Sequence, residues 1–204
     1  MKVLAINGSH RPDKNTAAML NMTLETIASE GISTELVELS KLDIKLCLSC
    51  NKCLMKPECA IKDDDMPGLA EKMINADAII FGSPVYFSNV SSLFKIFIDR
   101  TRWMHMCCNM LDGKIGASLT HAGLRNGGQE LTQMILERFI QGHGMHVVEA
   151  RDPEKGVFNL GPMGTMFDSM AGNKISWKKD VSKDELTVMM CHSLGRNISR
   201  WIKK

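Results

Sequence analysis

Lys2-Val3-Leu4-Ala5-Ile6-Asn7-Gly8-Ser9-His10-Arg11-Pro12-Asp13-Lys14-Asn15-Thr16 opens with an apolar run that reads as a buried strand over residues 2–7. A glycine ends the strand, a polar loop follows, and Ala17, Leu20, Leu24 and Ile27 then recur at helical spacing. The loop gathers Ser9, Arg11, Asn15 and Thr16 around the open N–H groups of a helix N-terminus, which suits a phosphate dianion. An ordinary N-cap at Asn15 or Thr16 accounts for the same residues equally well. Neither G-x-G-x-x-G nor G-x-x-x-x-G-K-[ST] is present, which disfavours a dinucleotide or nucleoside-triphosphate fold.

The same strand, loop and helix pattern recurs along the chain. Residues 34–39 alternate apolar and acidic side chains, as an edge or near-edge strand would. Residues 77–82 are almost wholly apolar, the pattern of a parallel strand covered on both faces. Residues 114–120 and 144–148 supply a fourth and a fifth strand. After the third strand comes Pro84-Val85-Tyr86-Phe87-Ser88-Asn89, with the only tyrosine of the chain beside a phenylalanine. After the fourth comes a glycine-rich loop with Gly123, Arg125, Asn126, Gly127 and Gly128. Five strands interleaved with helices predict an α/β doubly wound parallel sheet in one domain over residues 1–204, with its three polar loops converging at the carboxyl edge.

Two segments stand apart. Residues 151–173, rich in glycine, read as a long irregular excursion suited to a lid or an interface. Residues 182–203 read as a final amphipathic helix, with Ser182 and Glu185 forming a capping box. Asp63, Asp64 and Asp65 read as a helix cap with solvated charge. Cys191 reads as a small core residue.

Directly after the second strand, Cys47, Cys50, Cys53 and Cys59 stand in the order C-x2-C-x2-C-x5-C. Thiolates so spaced can converge on one inorganic centre, zinc or an iron–sulfur cluster. The chain carries seven cysteines, 25 basic and 23 acidic residues and a formal net charge of +2. This scattered charge excludes a polyanion-binding signature, and no signal peptide or membrane span is read, so neither nucleic acid nor a membrane is expected as a partner. A cytoplasmic setting, where thiols stay reduced, favours metal or redox chemistry over structural disulfides.

Taken together, Gly8-Ser9-x-Arg11, the cysteine loop, Asp63-Asp64-Asp65-Met66, Pro84-Val85-Tyr86, Asp99-Arg100, Arg125-Asn126-Gly127-Gly128-Gln129-Glu130 and His143-Gly144-Met145 resemble the iron–sulfur flavoprotein family. That family lies within the flavodoxin-like group of NAD(P)H-dependent FMN reductases, and the resemblance runs from the first strand to about Val148. It implies FMN, with its phosphate on Ser9, Arg11, Asn15 and Thr16 and its ring against Pro84, Val85, Tyr86 and Phe87. Further contacts would come from Asn89, Gly123, Arg125, Asn126, Gly127 and Gly128. The resemblance also implies a [4Fe-4S] cluster on Cys47, Cys50, Cys53 and Cys59 near a subunit interface, in a homodimer or homotetramer. Electrons would come from ferredoxin or NAD(P)H and pass to a small-molecule or protein acceptor. His10 stands where such phosphate loops commonly carry a small residue or proline. A cluster-free FMN reductase acting on quinones or nitro compounds, with the thiols free or zinc-bound, is the second reading. A zinc-stapled binding module is the third, and it leaves the three polar loops unexplained.

Overall fold

The computed structural model describes residues 1–158 and 160–204. Strand β1, Lys2–Asn7, pairs in parallel with β2, Ser33–Glu38, on one side and with β3, Ala78–Pro84, on the other. Beyond β3 lie β4, Ile115–Ala122, and the short β5, His146–Val147, so the order is β2-β1-β3-β4-β5. The chain therefore reverses its winding direction between β1 and β3, where open α/β sheets place their ligands.

The pleat of β1 sorts its residues to two cores. Val3 and Ala5 face the helices α1, Asn15–Ser29, and α6, Glu185–Ile202, and pack with Leu20, Leu24, Leu194 and Ile198. Leu4 and Ile6 face the opposite layer, where α2, Met66–Asn75, α3, Ser92–Arg100, and α5, Gln129–Gly142, bury Met73, Phe94, Phe97 and Leu136. Phe81 of β3 meets Phe94 and Phe139 edge-on, with centroids 6.1 Å and 5.3 Å apart. A short helix α4, Arg102–Met106, continues from α3. Among the described residues no helix is long and apolar enough to cross a membrane.

The excursion over residues 151–173 is more regular than its composition predicts. Strand β6, Met163–Thr165, runs parallel to the carboxyl end of β4, so β4 is bordered first by β5 and then by β6. Gly164 reads as a loop residue, yet a Cβ there would stand 2.8 Å from Met19 Sδ, so glycine permits the close approach to α1. The chain then forms an antiparallel hairpin of β7, Phe167–Ala171, and β8, Lys174–Trp177, around Gly172 and Asn173. The expected capping box of α6 is also replaced. Asp180 caps a preceding 3₁₀ turn, while Asp184 accepts from the Thr187 hydroxyl at 2.8 Å and from Thr165 N–H at 3.1 Å, which ties α6 to β6.

Candidate functional site

The loop after β1 is braced from below. Glu38, at the end of β2, accepts from Asn7 Nδ2 at 2.6 Å and from Asp13 N–H at 3.3 Å, and Asn7 Oδ1 accepts from Ser9 N–H at 3.0 Å. The Ser9 hydroxyl is tied to the backbone of Arg11 on both sides, and the Arg11 side chain extends into solvent. Helix α1 starts after Lys14 with no side-chain cap, so its first N–H groups are left to an outside acceptor. Asn15 is otherwise occupied: its Oδ1 accepts from Val181 N–H at 3.2 Å and its Nδ2 meets Met166 Sδ at 3.1 Å. Thr16 is buried one residue further into the helix.

The second loop leaves β3 through buried Pro84 and half-buried Val85, whose N–H donates to His121 O on β4. Tyr86 and Asn89 exchange both backbone hydrogen bonds at 3.0 Å around Phe87 and Ser88, which have φ of 50° and 57°. This tight turn favours Asn-Gly, and a phenylalanine in the left-handed region costs about 1–3 kcal/mol. The Phe87 ring is nevertheless fully exposed at 106%. Strain at a fully exposed aromatic has no packing reason among the described residues. His10 meets the Tyr86 ring edge-on at 6.1 Å and the Ser92 hydroxyl at 3.0 Å, joining the first two loops.

The third loop closes against the second. Gly128 has φ 98°, and a Cβ there would lie 2.3 Å from Ser88 Oγ, so glycine is required on both counts. Gly123 O accepts from the Thr165 hydroxyl at 3.2 Å, Asn126 adopts φ 56°, and Arg125 is exposed. The structure thus brings the three sequence-predicted loops, with Gly127 between Asn126 and Gly128, to one edge of the sheet. His121, at the end of β4, is 5% exposed, and its Nε2 finds no partner among the described residues. Burial, with the positive field of Arg11, lowers its pKa to about 4, against a smaller opposing pull from Asp184. A cavity of about 560 Å³ opens between this loop and the hairpin, lined by Arg125, Asn126, Gly128, Phe167 and Lys178 among others.

The cysteine loop is held by a device that its own residues do not reveal. Arg100 ends α3 with its side chain 1% exposed, paired with an Asp64 side chain that is 0% exposed. Its Nη1 donates to Lys45 O at 2.8 Å, and its Nη2 donates to Ile61 O at 3.3 Å and Asp64 Oδ1 at 3.2 Å. Asp64 also accepts from Lys45 N–H at 3.0 Å and Met66 N–H at 3.1 Å. One buried ion pair therefore clasps residues 45 and 61, on either side of the four cysteines. Burial acts to raise the Asp64 pKa, but Arg100 and the two backbone N–H groups outweigh it and hold the carboxyl below its usual range. The expectation of solvated charge is corrected for Asp64, while Asp63 is exposed and pairs with Lys45. A sequence signal was available: Arg100 falls three residues after Phe97 on the apolar face of α3, and a charge on such a face requires a buried partner.

Two further contacts brace the loop. Arg102 Nη1 donates to Asn51 Oδ1 at 2.9 Å, and the Cys107 thiol lies 3.2 Å from Cys53 O. Cys47, Cys50, Cys53 and Cys59 are free thiols and line one cavity beside Arg100 and Trp103. Among the described residues no three His, Cys, Asp or Glu side chains converge closely enough to hold a single metal ion. Cys191 is buried in the core, where burial pushes its thiol up to about 12.

Residues 1–152 match the model of the family described as NADPH-dependent FMN reductase. The chain belongs to that family. It is 35% identical over 203 residues to an iron-sulfur flavoprotein of Methanocaldococcus jannaschii, covering 100% of this chain and 98% of the relative. It is 37% identical over 199 residues to an iron-sulfur flavoprotein of Archaeoglobus fulgidus, covering 97% and 94%. These two relatives place it in the iron–sulfur flavoprotein branch. Among solved structures it resembles the NAD(P)H:quinone oxidoreductase from Methanothermobacter marburgensis, with a TM-score of 0.68 at 19% identity over 97% of this chain and 96% of that one. It also resembles an archaeal flavodoxin, with a TM-score of 0.58 at 17% identity and full coverage of both chains. These neighbours show the flavodoxin-like fold. Family membership makes the protein an oxidoreductase with a flavoprotein redox role.

Proposed function

We propose that this FMN reductase family member is an FMN-dependent redox enzyme that also carries a [4Fe-4S] cluster on Cys47, Cys50, Cys53 and Cys59. The observation that carries the reading is one cavity lined by all four cysteines, on a loop clasped by the buried Asp64–Arg100 pair. When bound, FMN accepts electrons in pairs and releases them singly, whereas the cluster passes one at a time.

The chain's part is to hold and orient these groups. The uncapped start of α1, with Ser9, Arg11 and Thr16, supplies donors and charge for the FMN phosphate. Asn15 braces the loop from behind through Val181. Pro84, Val85, Tyr86 and the strained Phe87 present apolar surface to the flavin ring, with Asn89, Gly123, Arg125, Asn126, Gly127 and Gly128 around it. The third loop and the β7–β8 hairpin enclose space for a small-molecule acceptor, within the usual size range of ligand sites. Ferredoxin or NAD(P)H supplies the electrons.

Leu46, Leu48, Leu54 and Met55 are exposed around the cysteine loop, at 65%, 72%, 43% and 84%. Such an apolar group supports burial against a second copy of this chain, in a homodimer or homotetramer. A reducing cytoplasm would keep the thiols available for iron. The test is the spectrum and metal content of anaerobically purified protein. Flavin bands with a broad, reducible brown shoulder, together with iron and labile sulfide, are expected. A flavin spectrum without iron would leave a cluster-free FMN reductase, and a colourless zinc protein would overturn both redox readings. Cys50→Ser and Cys53→Ser should each lose iron while retaining FMN.

A further inference from the structure

Among the described residues, two N–H groups of residues on the wall of the cysteine cavity are buried without an acceptor. Both nitrogens of the Arg100 fork are engaged, Nη1 with Lys45 O and Asp64 and Nη2 with Ile61 O and Asp64, yet Nε has no partner. Three residues on, Trp103 Nε1 is also buried and unpartnered. Both residues line the cavity that the four cysteines share. Neither atom can accept a hydrogen bond, and a buried donor left unpaired is disfavoured. Leu48, Ala60 and Ile61 make much of the remaining wall apolar, so a water there would find few of the partners it needs. The acceptors these two donors lack are ones that a sulfur-rich group would bring with it.

We propose that Arg100 Nε and Trp103 Nε1 donate hydrogen bonds to the sulfur atoms of the cluster held by Cys47, Cys50, Cys53 and Cys59, and so raise its reduction potential. The inference rests on the cluster reading of this loop and says what the surrounding chain does to it. Reduction adds negative charge to the sulfur cage, and N–H dipoles aimed at sulfur stabilise the more negative state. Asp64 balances the charge of Arg100, so the guanidinium acts on the cavity chiefly as a directed donor. Its orientation is fixed by the same contacts that clasp the loop, which couples loop closure to the cluster's potential.

Trp103→Phe removes one donor and keeps the aromatic bulk. Holoprotein of the parent and variant is prepared anaerobically, with iron, labile sulfide and FMN measured in each. The expected result is equal content and a cluster reduction equilibrium about tenfold less favourable in the variant, a drop of about 59 mV for a one-electron couple. In protein reconstituted in D2O, the Fe–S stretching bands of the parent should shift in the resonance Raman spectrum, and those of the variant should shift less. A fully loaded variant with unchanged potential and an unchanged deuterium shift overturns this inference and leaves the cluster reading intact. Parent protein without iron and sulfide overturns the cluster reading, and this inference with it. If the variant cannot hold a cluster, the parent decides alone, and insensitivity of its Fe–S bands to deuterium overturns the proposal.

Discussion

Replacing Asp64 by asparagine tests whether one buried ion pair closes the cysteine loop. Asp64 accepts hydrogen bonds from both terminal nitrogens of Arg100 and from the N–H groups of Lys45 and Met66, and its side chain is wholly buried. Asparagine keeps the shape but turns half of that acceptor into a donor facing other donors, and it leaves the Arg100 charge buried without a partner. Breaking such a pair costs about 3–5 kcal/mol. For a chain of this size each kcal/mol lowers the melting temperature by about 2–4 °C, so a fall of about 6–20 °C is expected. The apo protein is the right material, because bound groups would add their own stabilisation. Circular dichroism measures the melt, and limited trypsin digestion measures the loop, where the exposed Lys52 should be cut faster in the variant. The carboxylate's folded pKa is lowered, so its stabilisation is present above the unfolded value and is lost as pH falls through the folded one. The variant should lose this acid sensitivity. A melting temperature within about 2 °C of the parent, with unchanged cleavage at Lys52, would refute the clasp.

Phe87→Gly should relieve the left-handed strain and stabilise the apo protein by about 1 kcal/mol, while weakening FMN retention in equilibrium dialysis. Gly128→Ala should do harm on both counts, since its Cβ meets Ser88 and its φ is 98°; lower stability and loss of FMN on gel filtration are expected. Arg11→Ala should weaken FMN binding while leaving riboflavin binding almost unchanged, because only FMN carries the phosphate. His121 and His143 are both buried with pKa lowered to about 4 from 6.5, so the unfolded chain takes up protons first. Stability should be full above about pH 6.5 and fall toward pH 4 by about 3 kcal/mol per histidine. Urea titrations across that range check this, and removing one histidine should roughly halve the slope.

The strands and the three strand-end loops were legible in the sequence because their signals are local. A doubly apolar run such as residues 78–81 can only be covered on both faces, and a glycine followed by polar residues can only interrupt it. The four-cysteine spacing is also local, so the loop announced itself. Other features depend on residues far apart in the chain. Asn15 reads as a phosphate ligand or a cap from its neighbours alone, and only the fold brings Val181, distant in sequence, to its side-chain oxygen. Residues 163–165 read as irregular because glycine and proline dominate the composition there, yet β4 offers them a free ladder edge and glycine permits the close approach of Met19.

Over Lys2 to Thr16 the residues themselves determine that a strand ends in a polar loop and enters a helix. The tertiary structure decided which donors of that loop remain free, because Glu38, Val181 and Ser92 come from other elements and claim particular partners. The cysteine loop divides in the same way. Short spacings bring thiols together without long-range help, since few residues need ordering between them. What closes the loop is a carboxylate and a guanidinium 36 residues apart, and charges are driven to pair only once the fold has taken both out of water.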